Sequence, residues 1–179
     1  MTRSTRTARL ELRALSEGDV SPRYIAWLND AEVVRFLETR HERQDEASVR
    51  RFVIDVTQRA NEHLFGIFDA EHGHVGNIKV GPVHPIHQLA DVSLLLGERA
   101  VWGHGYATEA IAGVSALAFA ELGCAKLSAS MYRQNIASHR AFLRAGYVEE
   151  GVRRDHYQLG DERADLVELG LLPQDKRAV

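Results

Sequence analysis

The chain has a single cysteine, Cys124, so no disulfide can form within it, and a reducing compartment, the cytoplasm, is its expected setting. It has no uninterrupted apolar stretch of the roughly 20 residues that a bilayer-spanning helix needs. A large excess of charge is also missing: at a net charge of -3 there is no global basic field to gather nucleic acid or an anionic membrane. Arg3, Arg6, Arg9 and Arg13 are spread out and precede no apolar core, so no secretory leader is expected. Repeats, low-complexity tracts and an obvious linker are absent as well. With 179 residues, 45% hydrophobic and 26% charged, the composition predicts a soluble globular chain with a substantial core, one domain over residues 1–179.

What is present begins with Trp102-Gly103-His104-Gly105-Tyr106-Ala107, followed by Thr108-Glu109-Ala110 and an alanine-rich apolar run. Two glycines where an extended segment gives way to a helix allow a tight turn in which several amides converge on an anion, and the helix adds its positive dipole end. The same pair also suits an ordinary tight turn. No Lys-Ser or Lys-Thr pair closes the pattern and no third glycine follows at dinucleotide-fold spacing, so a P-loop NTPase and a Rossmann domain both fit poorly.

A second segment runs from Asn135-Ile136-Ala137-Ser138 to Phe142-Leu143-Arg144-Ala145-Gly146-Tyr147. Asn135 is a good helix N-cap and Gly146 a good left-handed C-cap, with Arg140 and Arg144 late in the helix. Elsewhere the patterning predicts a strand over Ala8 to Leu15, a helix opened by Ser21-Pro22 and ending near Asn29-Asp30, a short helix over Ala31 to Leu37, and one from about Asp45 to Asn61. Strands follow at His63 to Asp69 and His74 to Val80, with a turn at His72-Gly73, a loop over Pro82 to His87 and a strand over Ala90 to Leu96. A helix from His104 to Leu122, a strand from Lys126 to Tyr132, the Asn135 to Ala145 helix and strands at Tyr147 to Gln158 and Ala164 to Leu171 complete the chain. This order predicts an α/β architecture with a mixed sheet of about seven strands and helices on both faces.

On these two segments the sequence resembles the GNAT superfamily of N-acetyltransferases, in the group related to ribosomal-protein N-terminal acetyltransferases (RimJ/RimL type). The resemblance implies the GNAT fold, a twisted mixed sheet whose fourth and fifth strands splay apart, with acetyl-CoA in the gap; that no metal is expected follows separately from the histidine spacing. It assigns coenzyme contacts to Trp102, Gly103, His104, Gly105, Tyr106, Ala107 and Thr108 in the diphosphate turn, and to Asn135, Ser138 and Arg144 on the last helix. His104 stands where the family more often has Lys. The fourth strand would be Ala90 to Leu96, with Asp91, Ser93 and Leu95 on one face and Val92, Leu94 and Leu96 on the other. By the resemblance, Leu94 and Leu96 offer backbone groups to the pantetheine arm.

Acyl transfer from a thioester to an amine needs an acceptor for the amine proton, an oxyanion donor and a proton for the departing thiolate. Many family members supply the last from a Tyr seven residues after the helix-opening Asn; here that position is Phe142. The N-terminal acetyltransferase group uses a Ser three residues after the Asn, and Ser138 stands there. Asp91, beside the expected cleft, is the first choice of general base, with His156, Glu38 or a backbone carbonyl and a water chain as rivals.

Nine histidines raise the question of a metal, but the close pairs His72/His74 and His84/His87 sit in expected turns without cysteines or helical His spacing. Arg50, Arg51, Arg153 and Arg154 offer an anion-recognising patch or simply a solvated face. The expected partners are acetyl-CoA and an amine, with a homodimer left open and no nucleic acid or membrane. Trp27-Leu28-Asn29-Asp30 and Gly76-Asn77-Ile78-Lys79 resemble members that acetylate nucleotide-linked amino sugars, while the two coenzyme motifs suit N-terminal acetyltransferases equally. A non-catalytic acyl-CoA-binding module, or a general nucleotide binder, is the competing class.

Overall fold

The computed structural model describes residues 3–175. In chain order the elements are β1 (Ser4–Arg6), β2 (Leu10–Ala14), α1 (Pro22–Leu28), α2 (Ala31–Val34), α3 (Glu46–Gln58), β3 (His63–Asp69), β4 (Gly73–Val80), β5 (Leu89–Leu96), α4 (Tyr106–Glu121), β6 (Lys126–Tyr132), α5 (Ile136–Arg144), β7 (Val148–Leu159) and β8 (Glu162–Leu171). They form one eight-stranded sheet in the order β1-β2-β3-β4-β5-β6-β8-β7. Every neighbouring pair is antiparallel except β5 and β6, which run parallel. The strand beyond the expected seven is β1, three residues that carry no apolar alternation and owe their form to pairing with β2.

Helix ends follow their caps. Ser21 accepts a hydrogen bond from the Tyr24 amide with Pro22 at the first turn, and Asp45 and Ser48 close a reciprocal capping box on α3. α3 ends at Gln58 and not at Asn61, because Arg59 turns extended. The helix expected to reach Leu37 stops at Val34, and a 3-10 turn over Glu38–His41 follows. α4 begins at Tyr106, two residues after the expected His104, since Gly105 caps it at a left-handed φ of 82° that excludes it from the helix.

Two apolar layers sandwich the sheet. Leu12, Phe65, Ile67, Ile78 and Val92 pack under Ile111 and Val114 of α4 and Phe142 of α5. On the other face Leu15 and Leu64 pack with Tyr24 and Trp27 of α1 and Val49 and Val53 of α3. β5 contributes to both: Leu94 and Leu96 join the α4 layer and Leu95 the α1–α3 layer, the alternation a strand between two layers must have. Among the described residues no helix is long and apolar enough to cross a membrane.

Candidate active site

β5 and β6 pair only over Leu89–Asp91 with Lys126–Ser128 and then separate. Past that point β5 stays hydrogen-bonded to β4 on its other edge, as far as Leu96. The Gly81 amide donates to the Asp91 carbonyl and the Gly97 amide to that of Val75, so alternate residues aim their backbone at β4. By the same alternation Leu94 aims its N–H and C=O into the gap. Leu96 has the same orientation, but its carbonyl already accepts the Trp102 indole N–H at 2.9 Å. Leu94 therefore offers both groups and Leu96 only its amide. The Trp opening the turn thus anchors it to the end of the strand.

Beyond Trp102 the chain turns at Gly103 and Gly105, with φ of 77° and 82°. A Cβ at Gly103 would meet nothing within 4 Å, so it is backbone conformation and not crowding that selects glycine there. The amides of Gly103, Gly105, Tyr106, Ala107 and Thr108 donate to no acceptor among the described residues. Those of the helical residues are the donors every helix leaves open at its start. They sit at the positive end of the 16-residue α4, an arrangement suited to an anion. His104 is exposed, and Thr108 is half-buried in the first turn.

The turn is tied down from a distance. Arg9, just before β2, donates through Nε to Glu109 at 2.7 Å and through Nη1 to the His104 carbonyl at 2.9 Å, and its guanidinium lies 4.5 Å over the Tyr106 ring. Tyr106 in turn donates to Asp69 at 2.9 Å. Nothing local in sequence links these residues, and reading along the chain misses them.

On the β6 side of the gap Asn135 caps α5, its side chain accepting from the Ser138 amide at 3.3 Å. Ser138 is half-buried in the first turn. Phe142 is in the core at 2% exposure, edge-on to Tyr147, so it has neither a hydroxyl nor access to the gap. Arg144 is exposed in the last turn, nine residues from Asn135 and so about 14 Å further along the axis.

Asp91 lies on the last paired rung, where its carboxylate accepts a hydrogen bond from the Ser128 hydroxyl. It opens onto a cavity of about 350 Å³ that also holds Ser130, Arg153, His156, Tyr157 and Glu168. Two of the three side chains considered as base therefore share one cavity. Glu38 is elsewhere, beside the end of β6: the Tyr132 hydroxyl donates to it at 2.7 Å, and Arg40 donates both to it and to the Tyr132 oxygen. The Tyr132 hydrogen bond, with Arg40 and His41 nearby, holds the Glu38 carboxyl below its usual range against the effect of burial, so it is already engaged as an anion.

Two of the four arginines are engaged in ion pairs: Arg50 with Glu46 and Glu17, and Arg153 with Glu168. His72 bonds Asp69, His74 bonds Asn77 and the Gly76 carbonyl, and His84 stacks on His87. Among the described residues no group of three or more His, Cys, Asp or Glu stands where it would hold a metal ion.

Residues 9–148 match the acetyltransferase (GNAT) domain family, and the chain belongs to that family. Among its relatives is the uncharacterized N-acetyltransferase YoaA of Bacillus subtilis (strain 168), 28% identical over 159 residues, 86% of this chain and 88% of that protein. Similar solved folds include RimL, a ribosomal L7/L12 alpha-N-protein acetyltransferase in complex with coenzyme A, at a TM-score of 0.86 and 18% identity over 97% of this chain and 100% of that one. Another is spermidine N-acetyltransferase from Vibrio cholerae in complex with CoA and spermine, at 0.83 and 19%, covering 94% and 98%.

Proposed function

We propose that the whole chain is one catalytic domain that transfers an acetyl group from acetyl-CoA to a primary amine within a ternary complex. The observation that carries this is the conjunction of unspent amides at the start of α4 with an unpaired strand edge beside them. A diphosphate on the turn and a pantetheine arm along Leu94 would supply the acceptors and donors those groups lack. RimL and the spermidine enzyme, both solved with CoA, share this fold.

With the arm so placed, the thioester lies toward the closed end of the gap, near Asp91. The amine enters through the Asp91–His156 cavity and gives its proton to Asp91, directly or through a water. Its nitrogen bonds to the thioester carbonyl carbon, the C–S bond breaks as the tetrahedral intermediate collapses, and the second proton shed by the nitrogen passes to the departing sulfur, which the Ser138 hydroxyl hydrogen-bonds. Trp102 to Thr108 hold the diphosphate, Asn135 orients the arm, and Arg144 meets the adenosine end. The acceptor is a nucleotide-linked amino sugar or other small amine, or a protein N-terminal amine.

Buried Phe142, where a tyrosine would supply the thiolate's proton, favours one competing reading, a module that binds acyl-CoA without turnover. Acetyl-CoA turnover against nucleotide amino sugars, polyamines and short peptides with free N-termini separates the two. Thiol release with at least one amine, diminished in Ser138→Ala, supports the enzyme; CoA binding without release on any amine supports the module.

A further inference from the structure

Glu109 poses an electrostatic problem. A carboxylate in the first turn of α4 suits the helix dipole, but it also stands within one turn of the amides proposed to hold a diphosphate and would repel it. The structure answers with residues about a hundred positions earlier in the chain. The Arg9 amide and the Thr7 hydroxyl both donate to Oε1 of Glu109, and Arg9 Nε donates to Oε2. Only 16% of the Glu109 side chain is exposed, so the pair is partly shielded from solvent. Burial alone would raise the Glu109 pKa, but the bonds from Thr7 and Arg9 together hold it below the usual carboxylate range. The carboxylate is therefore ionised and its charge answered. The remaining Arg9 nitrogen, Nη2, lies 3.5 Å from where a Cβ on Gly105 would be, on the turn itself.

We propose that Arg9 is a positioning residue for coenzyme binding: it neutralises Glu109 at the mouth of the diphosphate turn and clips that turn in its open shape through the His104 carbonyl. The inference rests on the acetyl-CoA reading above. It makes β2's leading segment part of the coenzyme site, though nothing in that segment resembles a phosphate motif.

The test is isothermal titration with CoA for wild type, Arg9→Met, Arg9→Lys and the double variant Arg9→Met/Glu109→Gln, at low and high salt. Turnover of S-acetylpantetheine, which keeps the thioester and lacks the diphosphate, is measured beside it. Arg9→Met is expected to bind CoA about tenfold more weakly at low salt, with the loss shrinking at high salt. The double variant recovers the salt-dependent part of the loss and not the part due to the missing His104 clip, Arg9→Lys stays within about threefold of wild type, and S-acetylpantetheine rates are unchanged. Wild-type affinity in Arg9→Met, no recovery in the double variant, or an equal loss with S-acetylpantetheine overturns the inference. If Arg9→Met does not fold, Arg9→Gln takes its place with the same expected and overturning results. Failure of wild type to bind CoA is a distinct result that removes the coenzyme reading and this inference together.

Discussion

Asp91 and Ser128 face each other across the last rung on which β5 and β6 are paired, and the serine hydroxyl donates to the carboxylate. The bond holds the carboxylate on that last rung, where Asp91 lines the cavity shared with His156. Asp91→Asn keeps the shape and removes the proton acceptor. Its kcat should fall about 10²- to 10⁴-fold with the KM for acetyl-CoA little changed. A kcat close to that of wild type would transfer the role to His156 or to a water chain.

Ser138→Ala removes the hydroxyl assigned to the sulfur while leaving the Asn135 cap on the Ser138 amide intact. A drop of about tenfold to a hundredfold in kcat is expected, with no change in CoA affinity or melting temperature. Steady-state kinetics with any accepted amine measures it.

Gly103→Ala and Gly105→Ala probe backbone conformation alone, since neither added methyl meets a closer neighbour than Arg9 Nη2 at 3.5 Å from Gly105. Each forces a side chain into the left-handed region at about 1–2 kcal/mol, and relaxing that strain re-aims the turn's amides. CoA affinity should fall about tenfold in both while the fold persists. Titration paired with thermal melts distinguishes a re-aimed turn from general instability.

Much of this site can be read from sequence where a residue type answers a local backbone demand. Gly103 and Gly105 mark positive φ, Asn135 and Gly146 bracket α5, and the alternation of Leu94 to Leu96 places β5 between two layers. What is hidden depends on contacts between distant segments. Arg9 and Glu109 meet only after β2 lies beside α4, and β1 is a strand only because β2 is there to pair with it. The Leu96 carbonyl is spent on Trp102, a side-chain reach that strand periodicity cannot reveal. α4 is apolar nearly all round, so its pattern announces burial but not which face meets the sheet.

Arg40 joins the 3-10 turn over Glu38–His41 to the far end of the sheet, donating to the Tyr132 oxygen, the Leu37 carbonyl and the Gln158 carbonyl. If this turn borders the amine's entry, Arg40→Met should loosen it and raise the KM for the amine several-fold, leaving the KM for acetyl-CoA unchanged. Equal changes in both would assign Arg40 to the coenzyme side.

Acid stability should depend on Asp19. Burial would raise its carboxyl, but hydrogen bonds from Arg13 and Ser16, together with the Arg13 charge, bring it down from 3.8 to about 2. A folded-state value below the unfolded one favours the ionised carboxylate. Its stabilisation is therefore complete above the unfolded value, near pH 4, and lost as pH falls through about 2. Asp19→Asn should cost about 2 kcal/mol at neutral pH and flatten the stability profile over that acid window. Urea melts across the window check both.

The central claim is that the turn before α4 grips a diphosphate through main-chain donors while the pantetheine arm lies in the gap beside Leu94. A crystal structure of the chain grown with CoA tests it most directly. The account predicts diphosphate oxygens within hydrogen-bond distance of the Gly103 and Gly105–Ala107 amides, with the arm's amides paired to Leu94. CoA bound at another surface, or a gap left empty at saturating coenzyme, would contradict it.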